Sequence, residues 1–361
     1  MPARQTRLLR VDPMDPNPEV IQDAARVLRA GGLVAFPTET VYGLGANALD
    51  ASAVRGIFEA KGRPSTDPLI VHVPGLEDVR PLVRAWPDVL PRLAQAFWPG
   101  PLTLILPKQA SVPPEVTAGL DTVAVRAPSH PVARALIAAA GCPVAAPSAN
   151  RFSRPSPTAA SHVLADLDGR VDVVIDGGRT EIGVESTVLD LTVSPAVVRR
   201  PGGVALEALR ALLPDVRLAS HVVAEADAQV SPGQLLRHYA PNARMTLFEG
   251  PADAVRARVI DEVRARLGHI GRVGVLAPEE DIDLLAREFA APLAAGAMVV
   301  RAYGRRRDPG MGARELFDAI RALDAEQPEE ILAIALAPEG IGLAVRDRLM
   351  RAAEGRVITL G

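Results

Sequence analysis

The 361-residue sequence predicts an α/β protein of two domains, the first built on a large mixed, twisted sheet and the smaller second one on a doubly wound parallel sheet. Three observations predict it. Short apolar runs rich in β-branched residues alternate with helical periods along almost the whole chain. In about the first 210 residues several strands follow one another with no helix between them, so the sheet must mix parallel and antiparallel neighbours. Beyond residue 243 the order becomes βαβα, the order of a parallel, doubly wound sheet.

The elements follow in turn. "NPEVIQDAARVLRAGG" has Asn17 as a cap, Pro18 at the first helical position, a stripe of Val20, Ala24, Val27 and Leu28, and Gly31 as a stop, so it reads as a helix. "LVAFPT" reads as a strand, "DASAVRGIFEAKG" as a helix from Asp50 to Gly62, and "PLIVHV", "TLILPK", "TVAVRAP", "VDVVIDGG", "STVLDLT" and "AVVRRPG" as further strands. "PDVLPRLAQAFW", "HPVARALIAAAG" and "TAASHVLADL" read as helices. These make a first domain over 1–213. Residues 214–243 carry no sustained period and are longer than a connection inside a compact domain, so they read as a linker or functional loop. In 244–361, "RMTLFEG", "RVGVLAP", "MVVRAYG" and "EEILAIALAP" are strands separated by helical "PADAVRARVIDEVRARLG", "DIDLLAREFA" and "GARELFDAIRALDA", with "GLAVRDRLMRAA" closing.

Composition bounds the function. Apolar residues are 48% and aromatics 3%, so the cores are built from Ala, Val, Leu and Ile. A formal charge of -3 gives no global attraction to nucleic acid, and any RNA contact has to be local. The single cysteine, Cys142, excludes an internal disulfide and a multi-cysteine zinc site, and suits a reducing compartment. The N-terminal stretch has no apolar h-region, and no run approaches the eighteen apolar residues of a membrane helix. The expectation is a cytoplasmic protein.

Chemistry concentrates in the first domain. "KGRPSTDP" holds Lys61, one of two lysines beside thirty-eight arginines. Lysine is a compact point charge where arginine is a flat fork, so Lys61 is either chance survival or a position that requires the point charge. In "FPTETVYGLG" period two places Thr38, Thr40 and Tyr42 on one face, as a binding crevice or simply as a β-branched sheet edge. Arg126 in "TVAVRAP" needs an anionic partner, either a structural carboxylate or a ligand's. "APSANRFSRPSPT" gathers Ser148, Asn150, Ser153 and Ser156 in a loop before a helix, which suits an anion site or a serine-proline turn capping at Thr158. Ser186 and Arg200 stand at a strand start and before a glycine turn. His130, His162, His221 and His269 read as surface or capping residues. No "GxxxxGK[ST]", "GxGxxG" or "GxSxG" motif and no histidine pair at metal spacing occurs, so the site is one that holds anions and orients them.

Seven stretches in order, "PTETVYGLG", "KGRPSTDPLIVHV", "FWPGPLTLIL", "TVAVRAPSHP", "APSANRFSRPSPT", "GVESTVLDL" and "RRPGG", resemble the YrdC-like domain of threonylcarbamoyl-adenylate synthases. "SPGQLLRHYAP" and "GLAVRDRLMRAA" resemble the linker and the Rossmann-like C-terminal domain of the long form. The resemblance implies that L-threonine, bicarbonate and ATP give threonylcarbamoyl-adenylate and pyrophosphate, for a transferase that modifies tRNA to N6-threonylcarbamoyladenosine. It implies L-threonine binding by Thr40, His72, Arg126, the backbone at Ala146, and Ser186. It implies ATP binding by Lys61, Arg63, Asp67, Thr122, Ser148, Ser156 and Arg200, with His238 or Tyr239 from the linker, and Mg2+ on the phosphates. Lys61 would then act as a mobile charge following the triphosphate, with Arg63 in fixed contacts, and residues 231–241 as a lid over the nucleotide. A related carbamoyltransferase of hydrogenase maturation carries cysteine-paired zinc fingers, which one cysteine excludes. A non-catalytic RNA-binding module with a weak tRNA contact stays open, as does a purely structural C-terminal domain.

Overall fold

The computed structural model describes residues 5–219 and 238–361. Contacts divide the chain into two units, Met1–Phe152 with Ser156–Leu235, and Ser153–Pro155 with Leu236–Gly361. One break, after residue 235, falls inside the stretch read from sequence as a linker; the other two set Ser153–Pro155, read from sequence as part of the first domain, with the second unit.

The first unit holds β1 (Arg7–Arg10), β2 (Val34–Phe36), β3 (Gly43–Asn47), β4 (Ile70–His72), β5 (Leu102–Pro107), β6 (Thr122–Arg126), β7 (Val144–Ala145), β8 (Val173–Asp176), β9 (Thr187–Asp190), β10 (Val197–Arg200) and β11 (Arg217–Leu218). They form one sheet in the order β1-β8-β2-β3-β7-β4-β6-β5-β9-β10-β11. It is mixed, as expected: β4 runs parallel to β6 and β5 to β9, while β3–β7, β4–β7 and β5–β6 are antiparallel. One face carries the main core, with Val71, Leu104, Val123, Val125 and Leu189 under helices Ala51–Lys61 and Leu90–Phe97. A second core lies where helices Pro18–Arg29 and Pro131–Ala140 pack together over Val34, Phe36, Val173 and Ile175.

The second unit holds β12 (Arg244–Glu249), β13 (Val273–Ala277), β14 (Met298–Ala302), β15 (Glu330–Ile334) and β16 (Val357–Thr359), ordered β14-β13-β15-β12-β16 and parallel throughout. Helices Ala252–Arg266 and Glu279–Glu288 cover the face that bears Phe248, Val275 and Ile334. Alternate residues such as Leu247, Leu276 and Ala333 face helices Pro309–Ala325 and Gly342–Ala352, which pack on each other. This is the doubly wound parallel domain that the βαβα order requires.

The structure corrects three local readings. The segment expected to be a linker from residue 214 contributes β11, paired with β10, before the described residues stop. Helix Pro309–Ala325 starts three residues ahead of "GARELF", because Asp308 caps it by accepting from Met311 N–H and Pro309 takes the first position. Residues 38–42 are not a strand but a bend between antiparallel β2 and β3. Among the described residues no helix is long and apolar enough to cross a membrane.

Candidate active site

The central sheet presents one face opposite the main core. Register sets His72 beside Arg126 and Val144, and Ile70 beside Ala124. Strand alternation adds Thr103 from β5, Arg200 from β10 and Ser186, immediately before β9, to that face. Ile70, Ile105, Ala124 and Val188 form a small buried apolar cluster of their own, the floor of the site.

Four buried cations, Lys61, Arg63, Arg126 and Arg200, stand around this floor with three buried carboxylates, Glu39, Asp67 and Glu185. Among the described residues these cations outnumber the carboxylates by one, and such a lining suits anionic ligands.

Lys61 is placed by its helix. Asp50 accepts from the N–H groups of Ser52 and Ala53 at one end, and Gly62, at φ 66°, stops the helix immediately after Lys61. Its Nζ donates to the carbonyl oxygens of Ser148 at 2.5 Å and Asn150 at 2.6 Å. These two carbonyls hold the ammonium at the junction of the helix with the loop that follows β7. Arg63 is fixed as well, donating to the carbonyls of Asp67 (3.1 Å) and Pro68 (2.8 Å) and pairing with the Asp67 carboxylate at 2.8 Å. Carrying the β4–β6 and β4–β7 registers two places back sets Thr122 and Ser148 level with Pro68. Lys61, Arg63, Asp67, Thr122 and Ser148 thus share one end of the site.

The other end gathers Thr40, His72, Arg126, Ser186 and Arg200. Arg126 meets the Glu39 carboxylate at 2.7 Å and donates to the Gly100 carbonyl at 3.3 Å. Both Glu39 oxygens are buried and make no hydrogen bond, so the contact is an ion pair without hydrogen-bond alignment. Thr38 and Thr40 do come together, at 2.8 Å between hydroxyl oxygens, but a turn does it: Thr38 Oγ1 donates to the Val41 carbonyl and accepts from Thr40 N–H. Tyr42 leaves the site and donates to the Gly178 carbonyl at 2.6 Å. Ser186 shares a hydrogen bond with Thr103 at 2.7 Å, Arg200 donates to the Ser186 carbonyl at 3.0 Å, and Ser156 donates to Glu185 at 2.5 Å. Ala146 lies between the two ends, its N–H on the Ile70 carbonyl at 2.9 Å. Ser156 and Arg200, grouped from sequence with Lys61, are thus tied by these contacts to the Ser186 end.

Glu39, Thr103 and Glu185 escaped the sequence reading. An acidic residue inside "PTET", between two buried strands, was the available signal for Glu39. His130 and His162 do cap or brace loops: His130 Nδ1 accepts from Val132 N–H, and His162 Nδ1 accepts from Thr158 N–H, both at 3.2 Å.

Burial, with the Arg126 charge beside it, pushes the His72 imidazole down to about 3, so it is neutral at working pH. Its folded value lies below the ordinary 6.5, so its contribution to stability is present above about pH 6.5 and is lost as pH falls toward 3. We expect His72→Gln to flatten the loss of Tm between pH 6.5 and 4; an unchanged profile assigns the acid sensitivity to other groups.

Gly202, in the turn after β10, has no room for a side chain. A Cβ there would stand 2.3 Å from the Glu185 carbonyl oxygen and from the Ser186 carbonyl carbon. Gly202→Ala should cost about 1–3 kcal/mol of stability by displacing the backbone that carries Ser186, read as a lowered denaturation midpoint.

Two family descriptions match the chain: the Sua5/YciO/YrdC description, "Telomere recombination", over residues 26–202, and "Threonylcarbamoyl-AMP synthase, C-terminal domain" over 204–354. A threonylcarbamoyl-AMP synthase of Pyrococcus abyssi is 46% identical over 343 residues, covering 94% of this chain and 95% of the relative. The chain belongs to the threonylcarbamoyl-AMP synthase family. Another family member, from Bacillus subtilis, is 44% identical, with 96% of each chain covered, and one from Schizosaccharomyces pombe is 36% identical over 92% of this chain and 88% of its own. Among solved structures, P. abyssi Sua5 complexed with L-threonine superposes with a TM-score of 0.90 at 42% identity, covering 99% of both chains. A variant of that protein with an adjacent histidine and tyrosine changed to alanine gives 0.88 at 41% identity, covering 99% of this chain and 98% of its own. The synthase family therefore accounts for both units of the chain.

Of the expected lid, residues 231–237 lie outside the described residues. His238 and Tyr239 are buried and belong to the second unit. The Tyr239 ring lies 5.3 Å from Phe317 and beneath the Arg348 guanidinium at 5.2 Å, with the His238 ring edge-on at 4.0 Å. Tyr239→Ala should therefore cost the second unit about 3–5 kcal/mol, the order found for large buried aromatics, in calorimetry of the full chain.

Proposed function

We propose that the chain forms threonylcarbamoyl-AMP and pyrophosphate from L-threonine, bicarbonate and ATP, the product serving a transferase that installs N6-threonylcarbamoyladenosine in tRNA. The observation that carries this reading is four buried cations, Lys61, Arg63, Arg126 and Arg200, around one apolar floor within a chain of this family. The amino group of threonine adds to bicarbonate to give the carbamate and water. A carbamate oxygen then attacks the α-phosphorus of ATP, the bond to the β-phosphate breaks, and pyrophosphate leaves.

This chain's residues position and stabilise. Arg126 takes the threonine carboxylate, neutral His72 offers an imidazole that does not repel the ammonium, and Thr40 and Ser186 provide hydroxyls beside it. Lys61, Arg63, Thr122 and Ser148 hold the triphosphate, with Ser156 and Arg200 toward the reacting α-phosphate. Because Lys61 is anchored, it acts as a preorganised charge at the phosphates rather than one that travels with them. Magnesium arrives with ATP as part of the substrate; among the described residues no cluster of three or more His, Cys, Asp or Glu is arranged to hold a metal. His238 or Tyr239 would reach the nucleotide from the linker segment, and a cytoplasmic setting supplies all three substrates.

Selection of threonine over serine rests on one methyl group, worth about 1–3 kcal/mol in a pocket. Serine should be a substrate with kcat/KM lower by roughly 10- to 200-fold. The reading as a whole is tested by exchange of labelled pyrophosphate into ATP: it should require both threonine and bicarbonate, and exchange independent of them would refute it.

A further inference from the structure

The second unit contains a cavity of about 640 Å³ whose lining comes entirely from that unit. That volume is within the range of small-molecule sites, about 300–1,000 Å³. It opens at the carboxyl ends of β12 and β15, which are neighbours in the sheet. From β12 the chain passes to helix Ala252–Arg266 on one face, and from β15 to helix Gly342–Ala352 on the other. Such a divergence leaves a crevice, the place where open parallel sheets take ligands.

The lining combines three kinds of group. Arg346 donates twice to Glu249, at 2.6 and 3.0 Å, and Thr359 Oγ1 donates to the same carboxylate at 3.0 Å. The Arg346 guanidinium holds the Glu249 carboxyl below its usual range, so it stays an acceptor for hydroxyl groups. On another side Arg306 pairs with buried Asp281, which also accepts from Arg256 Nε at 3.1 Å. Arg256 also pairs with Asp253 at 3.0 Å, so Arg306 shares Asp281 with an arginine that has a second carboxylate, and Arg306 Nε is buried with no hydrogen-bond partner. Leu336 and Pro338 form an apolar wall.

We infer that this crevice binds a nucleoside phosphate: Arg306 takes the phosphoryl oxygens, the Glu249 carboxylate accepts from the sugar hydroxyls, and the base lies against Leu336 and Pro338. The test is equilibrium dialysis of the full chain with labelled AMP. Arg306→Ala should weaken one class of AMP binding by about ten- to a hundredfold. Arg306→Ala also removes a partner of Asp281, so a second variant, Ala337→Trp, obstructs the crevice from an exposed loop position and should abolish the same class. Synthase turnover should survive in both variants. Unlabelled phosphate should compete weakly and adenosine poorly. AMP binding equal in wild type and both variants, or absent from the wild type, overturns the proposal. Adenosine competing as well as AMP overturns the phosphoryl assignment, and phosphate competing as well as AMP overturns the nucleoside one.

Discussion

Lys61→Arg should lower kcat by roughly a hundred- to a thousandfold and recover no more activity than Lys61→Ala, the magnitude seen when one preorganised electrostatic group is lost from a transition state. Carbonyl contacts of 2.5 and 2.6 Å leave a space shaped for an ammonium. A guanidinium is wider and planar, and cannot take both carbonyls while keeping charge at the same point. Overpacking there adds about 1–3 kcal/mol of instability, so kcat has to be measured on protein whose folding has been checked by circular dichroism. Turnover near wild type in Lys61→Arg would mean that a positive charge anywhere in the pocket suffices, and that the scarcity of lysine in this chain carries no information about the site.

The second large effect belongs to Arg126. Arg126→Ala should raise the threonine KM by about ten- to a hundredfold, with a much smaller change for ATP, because a charged hydrogen-bonding partner contributes about 1.5–3 kcal/mol. The same substitution strands Glu39, which is buried and makes no hydrogen bond. Breaking a buried pair from one side typically costs about 3–5 kcal/mol of stability. The two consequences separate in the double variant: Glu39→Gln added to Arg126→Ala should restore most of the lost stability and leave the threonine KM high. If the double variant recovers both, Arg126 is a structural partner of Glu39 and the carboxylate of threonine is read elsewhere.

Sequence reached the elements whose signals are local. The helix ending at Gly62, the apolar strands β5, β6 and β9, and the βαβα order of the second unit each announce themselves through caps, β-branched runs or period. It missed β3, whose "GLGAN" has little strand propensity, and β11, only two residues long, because both exist through pairing with neighbours rather than through composition. Alternation predicts Thr38 and Thr40 side by side, but what joins them is a turn that closes on the Thr38 hydroxyl. At the site, the cations were visible as residues at strand ends, but their internal partners were not. Glu39 lies 87 residues before Arg126, and Lys61 finds its carbonyls 87 and 89 residues later. Contacts at such separation follow from topology, which one sequence does not specify.

The most direct test of the whole account is to incubate the purified full chain with ATP, threonine and bicarbonate and to follow the adenylate by mass spectrometry. A species of the mass of threonylcarbamoyl-AMP should form together with pyrophosphate, be absent when any one of the three is omitted, and be strongly reduced in Lys61→Ala. A folded chain that binds tRNA but makes no adenylate under these conditions would contradict it and favour a non-catalytic RNA-binding module.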